Sequence, residues 1–273
     1  MKRSTHLATF SGIDVSVHWT FYLLMGWLLL SGLLSGGIIS AAMNGIFLAA
    51  SFLCVVMHEY GHAFAARIFG IPTHGITLYP IGGVAELDRI PRNPFQEIVI
   101  ALAGPAVNVV FAALLLPVAW VVSSMTLTPT GMMMAAVVER LLMVNIALVL
   151  FNLIPAFPMD GGRVFRASCA LVVDYLTATR LAVRTGQAVA LGLAILGLFY
   201  NPMLLFLAAF VAFAAETELY GVITSQRETQ SICQPVIDAV RVAPGRYAAA
   251  FRSAAEARPN RRVTIVLSDS NYG

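Results

Sequence analysis

At 273 residues, with 59% hydrophobic and 11% charged side chains and a mean hydropathy of +0.81, the chain falls outside the soluble globular range, in which about a quarter of residues are charged. A net charge of +3, scattered along the sequence, excludes a nucleic-acid surface. The cysteines (Cys54, Cys169, Cys233) are odd in number and lack metal or redox spacing, so they read as reduced packing residues.

In chain order, the start MKRSTHLATFSGIDVSVHW has two basic residues and no apolar core before Asp14. No cleaved secretory signal is expected, and the first apolar span should be retained. Residues 15–57 contain no Asp, Glu, Lys or Arg, and a charge at mid-bilayer costs roughly 2.5–3.5 kcal/mol on insertion scales. A crossing takes about 20 residues, so this stretch suits two, hinged at SGGIIS (35–40). The polar connection 71–93 suggests a hairpin of ITLYP and VAEL about Gly82 and Gly83. Such an edge could take up an extended peptide, and the plain alternative is a solvated linker. Residues 98–138 are again uncharged, with a break at 123–131, and 141–159 form a fourth apolar segment ended by Pro155 and Pro158. Residues 185–215, interrupted by YNP at 200–202, are short for two crossings, so either Arg184 snorkels or one segment dips in and returns. The fold class expected is an all-α polytopic membrane protein of about six transmembrane helices, with a small β-hairpin between the second and third.

Connections 35–41 and 123–131 carry no Lys or Arg, whereas the alternate side carries Lys2, Arg3, Arg67, Arg89, Arg92, Arg163, Arg166, Arg180, Arg184 and the tail arginines. The positive-inside rule places both termini and the 67–97 connection in the cytoplasm. Glu139 and Arg140 are the exception, expected near the outer end of the fourth span and needing an internal pair or snorkelling.

The second span ends in His-Glu-x-x-His at 58–62. On a helix, positions i and i+4 share a face, so His58 and His62 can hold one Zn²⁺ with Glu59 beside them as general base toward water. A catalytic zinc needs a third protein ligand and an open fourth position. The strongest candidate is Asp160 in FNLIPAFPMDGGRVFRA (151–167), where Gly161 and Gly162 permit close helix approach; its alternative role is N-cap of a helix starting near Arg163. Asn152 is either a donor to a developing oxyanion or an interhelical hydrogen bond. Asn108, one turn after Pro105, either bonds a neighbouring helix or lines a substrate channel. Asn145, His18 and His74 read as packing or interface residues.

HEYGH (58–62), AGPAVN (103–108) and NLIPAFPMDGGR (152–163), in this order on separate spans, resemble the site-2 protease family of intramembrane zinc metalloproteases. GIDVSVHWTFYLL (12–24) is similar to the first span of its six-span branch, to which the sporulation factor protease of Bacillus belongs. The resemblance covers roughly residues 10–216, expected to form an intramembrane metalloprotease domain (1–216). It implies one zinc per chain bound by His58, His62 and Asp160, with Glu59 as base and Asn152 near the scissile peptide. It also implies regulated cleavage of a membrane-anchored substrate within or near its transmembrane segment. Expected partners are therefore a transmembrane protein, the lipid bilayer and, in a homo-oligomer, further copies of the chain. The branch often carries a tandem nucleotide-sensing module after the last span. Residues 217–273, a cytoplasmic tail, have length for a truncated regulatory domain only, so regulation by nucleotide is not expected.

The alternative is a membrane zinc transporter or sensor without hydrolysis, which should show further ionisable residues along the spans; only Glu139 and Arg140 offer themselves. A non-catalytic relative is disfavoured by Glu59 standing beside both histidines.

Overall fold

The computed structural model describes residues 4–80, 82–88, 91, 93–124 and 128–242. Strands β1 (Ser4–Phe10) and β2 (Ile13–His18) form a hairpin about Ser11 and Gly12. In β2, Ile13, Val15 and Val17 are buried while Asp14 is exposed, the period of two that half-buries a strand. β2 runs parallel to β3 (Thr73–Tyr79), which pairs antiparallel with β4 (Gly82–Leu87), completing a sheet in the order β1-β2-β3-β4. The all-α expectation is thus corrected to a mostly helical fold carrying one small sheet. The strands at 4–18 were not legible because a short alternation running straight into an apolar span reads as the start of that span.

Helix α1 (Trp19–Ile68) connects β2 to β3 and explains why they are parallel. Its halves meet at Gly36 and Gly37, whose backbones are not helical. Gly37 has φ of 72°, a conformation glycine adopts without steric cost. The halves run back past one another: Asn44 Nδ2 donates to the Leu28 carbonyl at 3.3 Å, and the Phe21 and Phe52 rings meet edge-on at 4.5 Å. A Cβ on Gly32 would stand 2.7 Å from Ala41 Cα, so the missing side chain lets the backbones close. Out and back, the chain returns to the level at which it left, where β3 meets β2. Ile13, Val15, Val17, Ile76 and Leu78 of the sheet pack on Phe21, Tyr60 and Ala63 of α1.

There follow α2 (Pro94–Ser123), α3 (Pro129–Asn152), α4 (Asp160–Cys169), α5 (Tyr175–Phe199) and α6 (Met203–Val242). Among the described residues, five helices are long and apolar enough to cross a membrane: α1, α2, α3 from Gly131, α5, and α6 as far as Glu228. Their outer faces are apolar, with Trp27, Leu34, Ile38, Trp120 and Phe206 each more than two-thirds exposed, as side chains facing lipid can be. α3 begins well before residue 141 because Thr128 caps it, accepting from the Gly131 N–H at 3.1 Å, with Pro129 in its first turn. Glu139 and Arg140 therefore lie inside a helix, both exposed, rather than at the outer end of a span. α4 starts at Asp160 and not near Arg163. Asp174 caps α5 by accepting from the Thr177 N–H at 2.9 Å, and that bond holds its carboxyl below the usual carboxylate range.

The chain divides into two units, Met1–Glu218 and Leu219–Gly273; the described residues of the second, 219–242, are helical. Lys2, Arg3, Arg89, Arg92 and the tail beyond 242, on which part of the sidedness and the regulatory-domain reading rested, lie outside the described residues.

A buried ionic knot ties α4 in place. Arg166, 1% exposed, donates Nε and Nη2 to Glu97 Oε1 of α2 (2.8 and 2.5 Å) and Nη1 to Glu218 Oε1 of α6 (2.5 Å). Its guanidinium also lies over the Phe157 and Tyr175 rings at 5.0 and 5.1 Å. Removing one member of such a buried pair strands the other charge, at a cost of about 3–5 kcal/mol. We therefore expect Arg166→Ala to lower unfolding stability in detergent by that amount, and Arg166→Ala/Glu97→Gln to recover part of it, as read by chemical denaturation.

Candidate metal centre

His58 and His62 stand one turn apart on the second half of α1, both buried, with rings edge-on and Nε2 atoms 3.1 Å apart. Asp160, the first residue of α4, brings its Oδ2 to 3.2 Å from each Nε2. Met159 holds the N-cap position of α4 without a side-chain bond, so the Asp160 carboxylate is not engaged in capping. The turn that aims Asp160 inward is compact. A Cβ on Gly161 would overlap the Leu153 and Ile154 carbonyls, and one on Gly162 would lie 2.7 Å from the Ala156 carbonyl carbon.

The far side of each imidazole is fixed. His62 Nδ1 lies 2.7 Å from the Ile100 carbonyl of α2, and His58 Nδ1 lies 2.5 Å from Asn108 Oδ1. A carbonyl only accepts, so His62 carries its hydrogen on Nδ1 and turns the Nε2 lone pair toward Asp160. A backbone carbonyl such as that of Ile100 is among the usual outer supports of a metal-binding imidazole.

Do these residues fit a zinc ion? Two imidazoles and a carboxylate form a donor set of catalytic zinc. With bonds of about 2.0–2.1 Å, three corners of a tetrahedron stand about 3.4 Å apart, close to the 3.1–3.2 Å between the ligand atoms here. Space for an ion comes from Gly104 of α2: a Cβ there would overlap His62 Nε2 and lie 2.7 Å from His58 Nε2. The group fits. Gly104→Ala is therefore expected to drop zinc well below one per chain by elemental analysis. Gly192→Ala, whose Cβ would meet nothing within 4 Å, should leave zinc unchanged.

Glu59 is half-buried, and β4 runs directly against it: a Cβ on Gly83 would lie 2.6 Å from Glu59 Cγ. Gly83 thus does more than permit a turn; it lets a strand approach the acidic side chain. Asn152 closes α3 with its amide nitrogen donating to the Leu148 carbonyl at 2.9 Å, so here the amide is bonded within its own helix. His18 caps α1, and His74 pairs with Asp88 on the surface at 3.4 Å. Sequence reasoning missed the parts played by Gly104, by Gly83 and by Asn145, which bonds Asn108 at 2.8 Å. The spacing of Gly104 signals close helix packing, but not what is packed against it.

Residues 46–132 and 122–193 match the model of peptidase family M50. The chain is 36% identical over 223 residues to the zinc metalloprotease MJ0392 of Methanocaldococcus jannaschii, covering 80% of this chain and 61% of that protein. It is 34% identical to the putative zinc metalloprotease sll0528 of Synechocystis, covering 70% and 52% respectively. Stage IV sporulation protein FB of Bacillus subtilis is 28% identical, with 55% and 50% covered. Among solved structures, the site-2 protease from Methanocaldococcus jannaschii superposes with a TM-score of 0.57 at 34% identity, covering 79% of this chain and 95% of that one. The chain thus spans between half and about three-fifths of the length of these curated relatives.

Proposed function

The chain belongs to peptidase family M50, and from that premise we propose that it is a zinc endopeptidase cleaving a membrane-anchored protein within or near its transmembrane segment. The observation that carries this reading is the convergence of His58, His62 and Asp160 within 3.2 Å of one another, on elements set among apolar helices. Its relatives MJ0392 and sll0528 are named as zinc metalloproteases, the second as a putative one, which supports the same chemistry here.

Bound zinc would supply Lewis acidity, polarising a carbonyl and making water acidic near neutral pH. Glu59 takes a proton from the attacking water on its carboxylate and passes it to the leaving amide nitrogen. One water is consumed, and a carboxylic acid and an amine are released. Asn152, whose amide nitrogen carries a second hydrogen beyond the one given to the Leu148 carbonyl, donates to the carbonyl oxygen under attack. A helical substrate bonds its own peptide groups, so it must unwind before reaching the centre. β4 is an outer strand of the sheet and passes beside Glu59. Among the described residues no further strand pairs with its outer edge, which offers main-chain donors and acceptors to the extended segment. On this reading the two halves of α1 make separate crossings, six in all. Both termini and the metal lie toward the cytoplasm, as the distribution of Arg and Lys favours.

Co-expression with single-span membrane proteins tests the proposal. The wild type should release a fragment cut in or near the span of at least one of them, and Glu59→Gln should not. Zinc flux through vesicles without any peptide cleavage would replace this reading with transport.

A further inference from the structure

His62 is oriented directly by a backbone carbonyl, but His58 is not. Its Nδ1 faces Asn108 Oδ1 at 2.5 Å, Asn108 Nδ2 donates to Asn145 Oδ1 at 2.8 Å, and Asn145 Nδ2 donates to the Leu141 carbonyl at 2.9 Å. Asn145 Nδ2 also reaches Cys54 Sγ of α1 at 3.3 Å. Asn108 and Asn145 are each fully buried and His58 is 4% exposed.

We infer that Asn108 and Asn145 are positioning residues, a two-amide relay that fixes the tautomer of His58 for metal binding. The relay has one direction because its end is a backbone acceptor. The Leu141 carbonyl can only accept, so the Asn145 amide nitrogen must face it. That leaves Asn145 Oδ1 toward Asn108, which must present Nδ2. Asn108 Oδ1 then faces His58, and His58 must place its hydrogen on Nδ1. Its Nε2 lone pair is thereby turned toward Asp160 and His62. Turning either amide over would set oxygen against oxygen or N–H against N–H in a buried place. A main-chain carbonyl of α3 thus governs a histidine of α1 through α2. Helices α1, α2 and α3 share one chain of hydrogen bonds.

The inference rests on the zinc reading of the site, yet its first test needs no metal. In metal-free protein with ¹⁵N-labelled histidine at about pH 8, above the ordinary imidazole pKa of ~6.5, imidazole nitrogen shifts report the tautomers. His58 and His62 should both hold hydrogen on Nδ1. Asn145→Leu should admit the Nε2–H form at His58 alone, with His62 unchanged as a built-in check on folding. Zinc affinity should fall about 10–100-fold in Asn108→Ala and less in Asn145→Leu. The double variant should bind no more weakly than Asn108→Ala, since both residues lie on one path. A wild-type His58 without hydrogen on Nδ1, additive losses, or equal disturbance of both rings would overturn the relay. Correct tautomers in a wild type that takes up no zinc would overturn the metalloprotease reading while upholding the relay.

Discussion

Glu59→Gln is expected to abolish peptide cleavage while zinc stays near one ion per chain. The substitution keeps the size of the side chain and its fit beneath Gly83, where a Cβ would already be 2.6 Å away. It touches none of the three atoms that could hold a metal ion, which belong to His58, His62 and Asp160. What it removes is the ability to take a proton. General-base catalysis is worth about 10²–10⁴-fold, and an amide cannot also return the proton to the leaving nitrogen. Paired measurement of fragment release and zinc content checks the prediction. Undiminished cleavage would remove Glu59 as the base, and loss of zinc would make it part of the metal-binding set.

Asp160→Asn is expected to lose both zinc and activity. The carboxylate is the one anion among the three candidate ligand groups, and its Oδ2 is 3.2 Å from both imidazole nitrogens. Loss of a residue that merely supports a ligand costs about 10–100-fold in metal affinity, so loss of the ligand itself should cost more. Folding should survive, because the α4 cap position belongs to Met159 and α4 is anchored separately through Arg166 and Glu97. Chelator competition gives the affinity and circular dichroism the helix content. Wild-type zinc affinity in this variant would release Asp160 from the ligand role.

The sequence conveyed those features that a local rule governs. α2 runs from Pro94 to Ser123 where an uncharged stretch from residue 98 to a break at 123 was expected, because a charge in a bilayer is costly enough to leave a visible gap. His58 and His62 were legible as a pair because one helical turn separates them. Asp160 was legible as a candidate ligand, and the observed start of α4 sets aside only its capping role. Features that depend on distant encounters were hidden. Arg166 and Glu97 are 69 residues apart, and nothing near either one names the other. Asn108 was read as bonding a neighbouring helix or lining a channel; it bonds two neighbouring helices, through Asn145 of α3 and His58 of α1, and which residues those are is set by the rotation of α2 against them. The reversal of α1 at Gly36 and Gly37 falls within the hinge expected at 35–40, but the parallel pairing of β2 with β3 stayed hidden because β2 itself reads as the start of the span.

X-ray absorption at the zinc edge, on purified protein loaded with the metal, tests the account most directly. One zinc per chain should appear with nitrogen and oxygen neighbours alone, at about 2.0–2.1 Å, two of them imidazole, and the signal should change when His58, His62 or Asp160 is replaced. Sulfur neighbours at about 2.3 Å, or a spectrum indifferent to all three replacements, would contradict it.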